Sequence, residues 1–415
     1  MSMRSSRRIL LISPSLPHPP IWGSGIRIHQ FVSRLAARHH VTLLAHAGPD
    51  DTDKVQAMRA VCQEVHTVSL DRPLGVADRR AQLASLVSPL PYQVLRLRSA
   101  PMQQAVDELL EGSRFDLVQV ASSPLAELTI PTSLPVVLDE HNIEYELLQR
   151  ASQAESSPLR RGFNWLEYRK FRRHEIARWE AVAGVAVTSE REEAIVRRQA
   201  PGVAVETVPN GVDLDHFRPD GSDVDPDSIV FSGLMRYRPN LDAAAHFARE
   251  VLPIIRRARP STRFTVVGWG HVEQVRAAVG PGVEVTGRVP DVREHINRAA
   301  VVVVPLRVGG GTRLKVLEAL ACRRPVVGTS LGVEGIAVED GVHLLIRDEP
   351  REFAEAVLDL LRHPDRGRRL AANGRKLVEE AYGWQASVER LERLHDLCLR
   401  EPWAQEMTSE ACAAS

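Results

Sequence analysis

Residues 305–327, PLRVGGGTRLKVLEALACRRPVV, place three glycines, a threonine and two cations between a valine run and an apolar helical pattern. Thr312 is positioned to N-cap a helix that opens with Arg313 and Lys315. A helix N-terminus carries partial positive charge and favours acidic residues, so two cations in that turn are suited to an anion docked between them. Glycines let backbone N–H groups approach a diphosphate closely, and the helix dipole favours it there. Arg313 would grip phosphate oxygens in pairs and Lys315 would add a point charge. Together they would stabilise an anionic group held at the start of the helix. Glu318 follows Lys315 on a similar face. The spacing alone fits equally well a surface Lys–Glu pair behind a flexible loop.

Two further stretches carry candidate chemistry. In PSLPHPPIWGSGIRIHQ (14–30), Gly23 and Gly25 sit between an apolar run and a helical pattern, where backbone could closely approach a ligand. A dinucleotide fingerprint is excluded, because Ile28 occupies the third glycine's place. A plain tight turn is the competing reading. LDEHN (138–142) ends an apolar run; His141 there could bond a sugar or help a hydroxyl lose its proton. A structural histidine fits as well, and Asp139 or Glu140 could be a helix cap. Four Asp-x-Asp triplets, at 51/53, 213/215, 223/225 and 225/227, lie in segments expected to be loops or linker. They read as solvated turns rather than metal ligands, and the histidines lack zinc spacing.

These residues need elements to hold them. Runs at 8–13, 41–45, 115–121, 135–140 and 183–189, with a weaker one at 65–70, read as buried parallel strands. Helical patterns fill the gaps, as at 26–37, where Ile28, Phe31, Val32 and Leu35 share a face. Residues 209–228 are rich in Pro, Gly and Asp, and read as a linker. A second set of strands follows at 228–233, 263–268, 283–287, 300–305, 325–329 and 342–346. The expected organisation is an α/β domain at 1–208, a linker at 209–227, a second α/β domain at 228–383, a helix at 384–403 and a disordered tail at 404–415. Ligands of open parallel sheets bind outside the carboxyl ends of the strands.

The 415 residues are 26% charged with zero formal net charge, so no whole-molecule field favours nucleic acid. Four cysteines without metal or disulfide spacing, and no apolar run of membrane-spanning length, favour the cytoplasm. One segment qualifies that expectation. Residues 157–180 combine seven Lys/Arg and three Glu with Phe163, Trp165, Tyr168, Phe171 and Trp179. A basic aromatic helix of this kind can lie on the inner face of a membrane, although such faces more often pack on their own domain.

Read in order, these segments resemble the GT-B-fold glycosyltransferases of family 4, the group 1 nucleotide-sugar transferases. FSGLMRYRPNLDAAAHFAREVLPIIRRARPSTRFTVVGWG, the stretch GRVPDVREHINRAAVVVVPLRVGGGTRLKVLEALACRRPVVGTSLGVEGI and VLDEHNIEYELLQR carry the resemblance. It implies two Rossmann-like parallel-sheet domains facing across a cleft, with the helix at 384–403 crossing back to the first. It also implies transfer of a hexose-type sugar from a nucleoside diphosphate sugar to a hydroxyl acceptor, with retention and without metal or other cofactor. Carried over residue by residue, Gly233, Gly287, Val289, Gly310, Gly311, Thr312, Arg313, Lys315 and Glu318 would bind donor. His141 would contact its sugar, and Gly23 and Gly25 would line the site. The chain departs from the pattern at Gly310, where a first glutamate is usual, and at Leu234 and Pro239, where an Arg and a Lys are usual. Two other readings stay open: a nucleotide-sugar epimerase on the same fold, and a non-catalytic nucleotide-sugar-binding protein.

Overall fold

The computed structural model describes residues 6–69, 76–131, 133–311 and 313–400. Thr312, and with it the expected N-cap, lies outside them, as does the tail at 404–415. The chain forms two units. Unit 1 comprises the residues up to Val208 together with those from Val388 onward, and unit 2 runs from Pro209 to Ser387.

Unit 1 is built on seven parallel strands: β1 (Arg8–Ser13), β2 (His40–Ala47), β3 (Glu64–Ser69), β4 (Leu117–Val120), β5 (Val136–Asp139), β6 (Gly184–Val187) and β7 (Ala204–Thr207). Their order is β3-β2-β1-β4-β5-β6-β7. Ile9 pairs with Val41 on one side and Leu117 on the other, so the order reverses at β1. Strands covered on both faces must be apolar throughout, and Ile9, Leu10, Leu11 and Ile12 are almost wholly buried. The strand β7 has no counterpart among the expected ones. Its sequence, AVET, is four residues long and half-buried at alternate positions, too weak a pattern to separate from a loop.

Unit 2 has six parallel strands: β8 (Asp225–Ser232), β9 (Arg263–Val267), β10 (Glu284–Gly287), β11 (Ala299–Val304), β12 (Val326–Gly328) and β13 (Leu345–Ile346), in the order β10-β9-β8-β11-β12-β13. The order reverses between β8 and β11, and the loops leaving those two strands carry Gly233 and Gly309–Gly311. Strand β8 begins at Asp225, inside the segment expected to be linker. The Asp225 carboxylate accepts the Asp227 N–H there, so this triplet lies in a strand rather than a loop. Asp51 and Asp213 likewise accept nearby backbone N–H groups. Among the described residues no group of three or more His, Cys, Asp or Glu is placed to hold a metal ion.

Seven helices matter to the site and its surroundings: α1 (Gly23–Ala36), α2 (Val76–Ser85), α3 (Glu144–Ala154), α4 (Pro158–Glu180), α5 (Arg238–His246), α6 (Leu314–Ala321) and α7 (Trp384–Arg400). The first starts three residues earlier than its apolar face suggests, because Gly23, Ser24 and Gly25 form its opening turn. Helix α7 begins in unit 2, where Trp384 packs against Gly211, and its residues from Val388 belong to unit 1. There Glu392 accepts from His39 at 3.0 Å, and His395 lies 3.2 Å from the Gln119 amide.

The tightest backbone approach in unit 2 lies at the strand ends. A Cβ on Gly268, just past β9, would fall 1.9 Å from the Gly233 carbonyl oxygen, and Gly268 has φ +137°. Both space and conformation require glycine. Gly268→Ala is expected to destabilise unit 2 by about 3 kcal/mol, through forced separation of the two loops and backbone strain. Urea unfolding with an unchanged m-value and a lowered midpoint is the check.

Candidate donor and acceptor sites

In unit 2 the site grows from the carboxyl ends of β8 and β11. Lys315, in the first turn of α6, is half-buried. Its Nζ donates to Asn240 Oδ1 at 2.8 Å and lies 4.2 Å from the centre of the Phe231 ring. The amide of Asn240 donates in turn to the Leu234 carbonyl at 2.9 Å, which ties α5 to the loop after β8. A Cβ on Gly233 would sit 2.7 Å from Lys315 Nζ and 2.9 Å from Asn240 Nδ2. The glycine is there to let the ammonium in. Burial beside a neutral amide and a ring, with Arg313 nearby, drops the Lys315 pKa to about 7.

The Glu318 side-chain carboxyl, one turn along α6, accepts no hydrogen bond from the described residues. Burial pushes its carboxyl up to about 7, only partly opposed by Lys315. A half-buried carboxyl without donors is suited to take hydrogen bonds from a ligand's hydroxyls.

Arg313 departs from the expected arrangement. It is the N-cap residue of α6 rather than its first helical residue, and it is 7% exposed. Its guanidinium turns back to donate to the carbonyls of Gly310 and, at 2.6 Å, Gly311. The two cations therefore divide their work: Arg313 braces the glycine turn, and Lys315 faces the strand ends. Gly310, standing where a glutamate is usual, contributes that carbonyl. Gly309 and Gly311 have φ +111° and +75°, values open to glycine. Gly287 ends β10 at φ +72°, and Val289 packs half-buried against the core beside it.

Sequence reasoning missed Asn240, because an asparagine in a helix carries no signal until its partners are known. It also missed Trp269, which is 37% exposed after β9 with the Arg236 guanidinium 4.5 Å above its ring.

In unit 1 the corresponding edge holds His141 and the start of α1. His141 Nε2 lies 3.4 Å from Asp139 Oδ2. The same carboxylate is gripped by Arg27 through Nη2 at 2.6 Å and Nε at 2.9 Å, while Arg27 Nη1 donates to the Val208 carbonyl at 2.8 Å. Arg27 and Asp139 are wholly buried. Burial would raise the Asp139 pKa, yet the charge of Arg27 and the contact with His141 hold it well below the usual carboxylate range. Asp139 is thus an ion-pair partner and not a helix cap. The N-terminus of α3 is served from a distance by Glu175, which accepts the N–H groups of Glu144 and Tyr145 at 2.9 and 3.0 Å. Glu140 points away from His141 into the core, where Trp179 donates to it at 2.9 Å and burial raises its pKa to about 8.

Gly23 and Gly25 lie in the first turn of α1, not in a loop. Around Gly23 a Cβ would meet nothing within 4 Å, so the helix start is open at that point. A Cβ on Gly25 would come within 2.4 Å of the Trp22 ring, so Gly25 makes room for that indole. Arg27 escaped sequence reasoning because its partner stands 112 residues away.

Two Rossmann-like units with loops, cations and carboxyls gathered at their strand ends define a class of nucleotide-binding enzymes. Comparison with known proteins narrows it. Residues 22–216 match the family described as Glycosyltransferase Family 4, and residues 226–363 match Glycosyl transferases group 1. The chain belongs to this glycosyltransferase family. A D-inositol 3-phosphate glycosyltransferase of Frankia alni is 31% identical over 237 residues, covering 50% of this chain and 58% of that protein. Sucrose-phosphate synthase from Thermosynechococcus elongatus shares the fold with a TM-score of 0.71 at 20% identity, covering 94% of this chain and 98% of that one. Anabaena Alr3699/HepE, solved in complex with UDP-glucose, does so with a TM-score of 0.67 at 14% identity, covering 94% and 99%. These are GT-B glycosyltransferases, and each unit here has the parallel sheet of that fold.

Two outcomes test the electrostatics. Arg27→Met leaves the Asp139 carboxylate buried without its cation, and is expected to cost about 3–5 kcal/mol of stability by denaturant unfolding. For Glu318 the folded pKa lies above the unfolded one. The protonated form therefore stabilises the fold fully below about pH 4.5, and that contribution is lost as pH rises through about 7. The stability difference between wild type and Glu318→Gln should shift against wild type by up to roughly 3 kcal/mol across that window. Lys315, with its pKa lowered, runs the other way: its contribution is full above about 10.5 and lost as pH falls through about 7.

Proposed function

We propose that the protein transfers a hexose-type sugar from a nucleoside diphosphate sugar to a hydroxyl acceptor, with retention at the anomeric carbon and no metal in the site. The reaction belongs to glycan, glycolipid or exopolysaccharide biosynthesis. Unit 2 holds the nucleotide. Lys315 meets the diphosphate, Glu318 the ribose hydroxyls, and the turn at Gly309–Gly311 brings backbone N–H groups to phosphate oxygens. Unit 1 supplies His141 and the open start of α1 to donor sugar and acceptor.

The observation that carries this reading is the state of Lys315. Among the described residues the ammonium hydrogen-bonds a neutral amide and faces a ring, and makes no ion pair even with Glu318 one turn away; burial holds its pKa at about 7. An incoming diphosphate restores the charge and takes up a proton. As the anomeric C–O bond breaks, negative charge grows on the leaving oxygen, where Lys315 stabilises it. His141 lies with Nε2 3.4 Å from the Asp139 carboxylate, and its imidazole is offered to the reacting sugar or acceptor. The donor-bound state of Alr3699/HepE and the sugar-transfer names of the family's members support the donor class. The buried thiols of Cys62 and Cys322 suit a reducing compartment, and we place the protein in the cytoplasm.

Lys315→Ala should weaken binding of uridine or guanosine diphosphate by about 10- to 100-fold in isothermal titration, with little effect on the free nucleosides. Equal losses for diphosphate and nucleoside would remove Lys315 from the phosphate. Proton uptake during titration at pH 8, seen as buffer-dependent heat, is expected of wild type and absent from the variant.

A further inference from the structure

Helix α4 does not present one amphipathic face in the way its sequence suggests. Phe171 and Trp179 are fully buried and Tyr168 packs half-buried on the core, whereas Trp165 is 53% exposed. Arg169 stacks 5.3 Å from the Trp165 ring, and Arg160, Arg161, Arg172 and Arg173 are exposed along the same helix. Near the N-terminus of α4, Leu159 is 88% exposed.

A second segment joins this surface. The end of α2 and the turn after it show Leu83, Leu86 and Val87 at 68, 53 and 91% exposure. They are tied to α4 because Lys170 donates to the Ser85 carbonyl and Glu167 accepts the Tyr92 N–H at 2.7 Å. Just beyond the second segment, against α4, runs a groove of about 600 Å³, walled by Leu90, Trp165, Leu166 and Arg173. Of the three acidic residues on α4, Glu167 and Glu175 are buried, so the outward charge is strongly positive. Large apolar side chains set among unneutralised cations are a poor surface for water. They are a good one for an anionic interface, where the apolar groups enter the acyl boundary and the cations stay with the headgroups.

The groove also reaches the functional edge of unit 1. Its wall includes Glu127, in the segment following the carboxyl end of β4, and His174 of α4. His174 lies 3.2 Å from Glu127 and 3.3 Å from the Ser123 carbonyl, and Ser123 donates to Glu140, the neighbour of His141. We propose that α4 and residues 83–87 dock unit 1 on an anionic lipid bilayer, and that the acceptor hydroxyl is borne by a lipid delivered along this groove. The second half of the proposal rests on the glycosyl-transfer reading; the docking does not.

The test is co-sedimentation of the full chain with vesicles of phosphatidylglycerol and phosphatidylcholine, compared with phosphatidylcholine alone. Binding is expected only with the anionic lipid, and it should weaken between 50 and 500 mM salt. Arg169→Gln with Arg173→Gln should lower the partition coefficient about thirtyfold. Leu86→Asp with Val87→Asp should abolish binding, with circular dichroism and thermal melting unchanged. Equal binding to both vesicle types, or none, overturns the docking. So does a concentration-dependent dimer that the Leu86/Val87 variant dissolves, since the face would then cover a second copy. If docking holds while transfer to a water-soluble hydroxyl acceptor is unaffected by vesicles and by the variants, the lipid-borne acceptor is overturned and the docking stands. Failure of Lys315→Ala to weaken diphosphate binding would remove the donor-site reading, and with it the acceptor half of the proposal, without touching the docking.

Discussion

A positive charge withdrawn from water must be answered, and the two units answer it differently. In unit 1 the buried guanidinium of Arg27 meets a carboxylate held in fork geometry and a backbone carbonyl, so its hydrogen-bonding demand is met inside the protein. In unit 2, among the described residues, the ammonium of Lys315 hydrogen-bonds an amide oxygen and faces a ring, with the Glu318 carboxyl one turn away. The first arrangement is finished and structural. The second is completed, on the proposed reading, by an incoming diphosphate.

The surroundings of Lys315 follow from that need. Gly233 has no Cβ because the ammonium occupies the place one would take, and Gly268 has none because the Gly233 loop lies against it. Asn240 locks the loop after β8 to the helix that holds the partner oxygen. Arg313 donates through Nη1 to the carbonyls of Gly310 and Gly311, which braces a turn that glycines would otherwise leave pliable. Arg27 plays a comparable part at a distance in unit 1. By keeping Asp139 ionised it maintains a negative charge 3.4 Å from His141 Nε2. Positioning of this sort costs less reorganisation during reaction than flexible side chains would.

Much of the fold was legible because parallel strands covered on both faces must be continuous apolar runs. The runs at 8–13, 41–45 and 300–305 left little alternative. The strand at 204–207 escaped because an edge position buries only every second residue and relaxes that demand. Helix α1 was misjudged at its start for a different reason. Glycines are poor helix formers by propensity, and only the packing of Trp22 over Gly25 makes a helical turn the better solution there.

The sequence by itself determined the order of strands and helices, the glycine turn with its cations, and the carboxyl one turn beyond. All of these are local patterns, set by periodicity and by neighbours along the chain. Only the tertiary structure decided what each charge faces. It turned Arg313 inward, joined Lys315 to an asparagine 75 positions away, joined Arg27 to an aspartate 112 positions away, and left Trp165 outside while Phe171 went in. Hydrogen-bond partners far apart in sequence are chosen by how the sheets stack their ends, and no spacing along the chain records that choice.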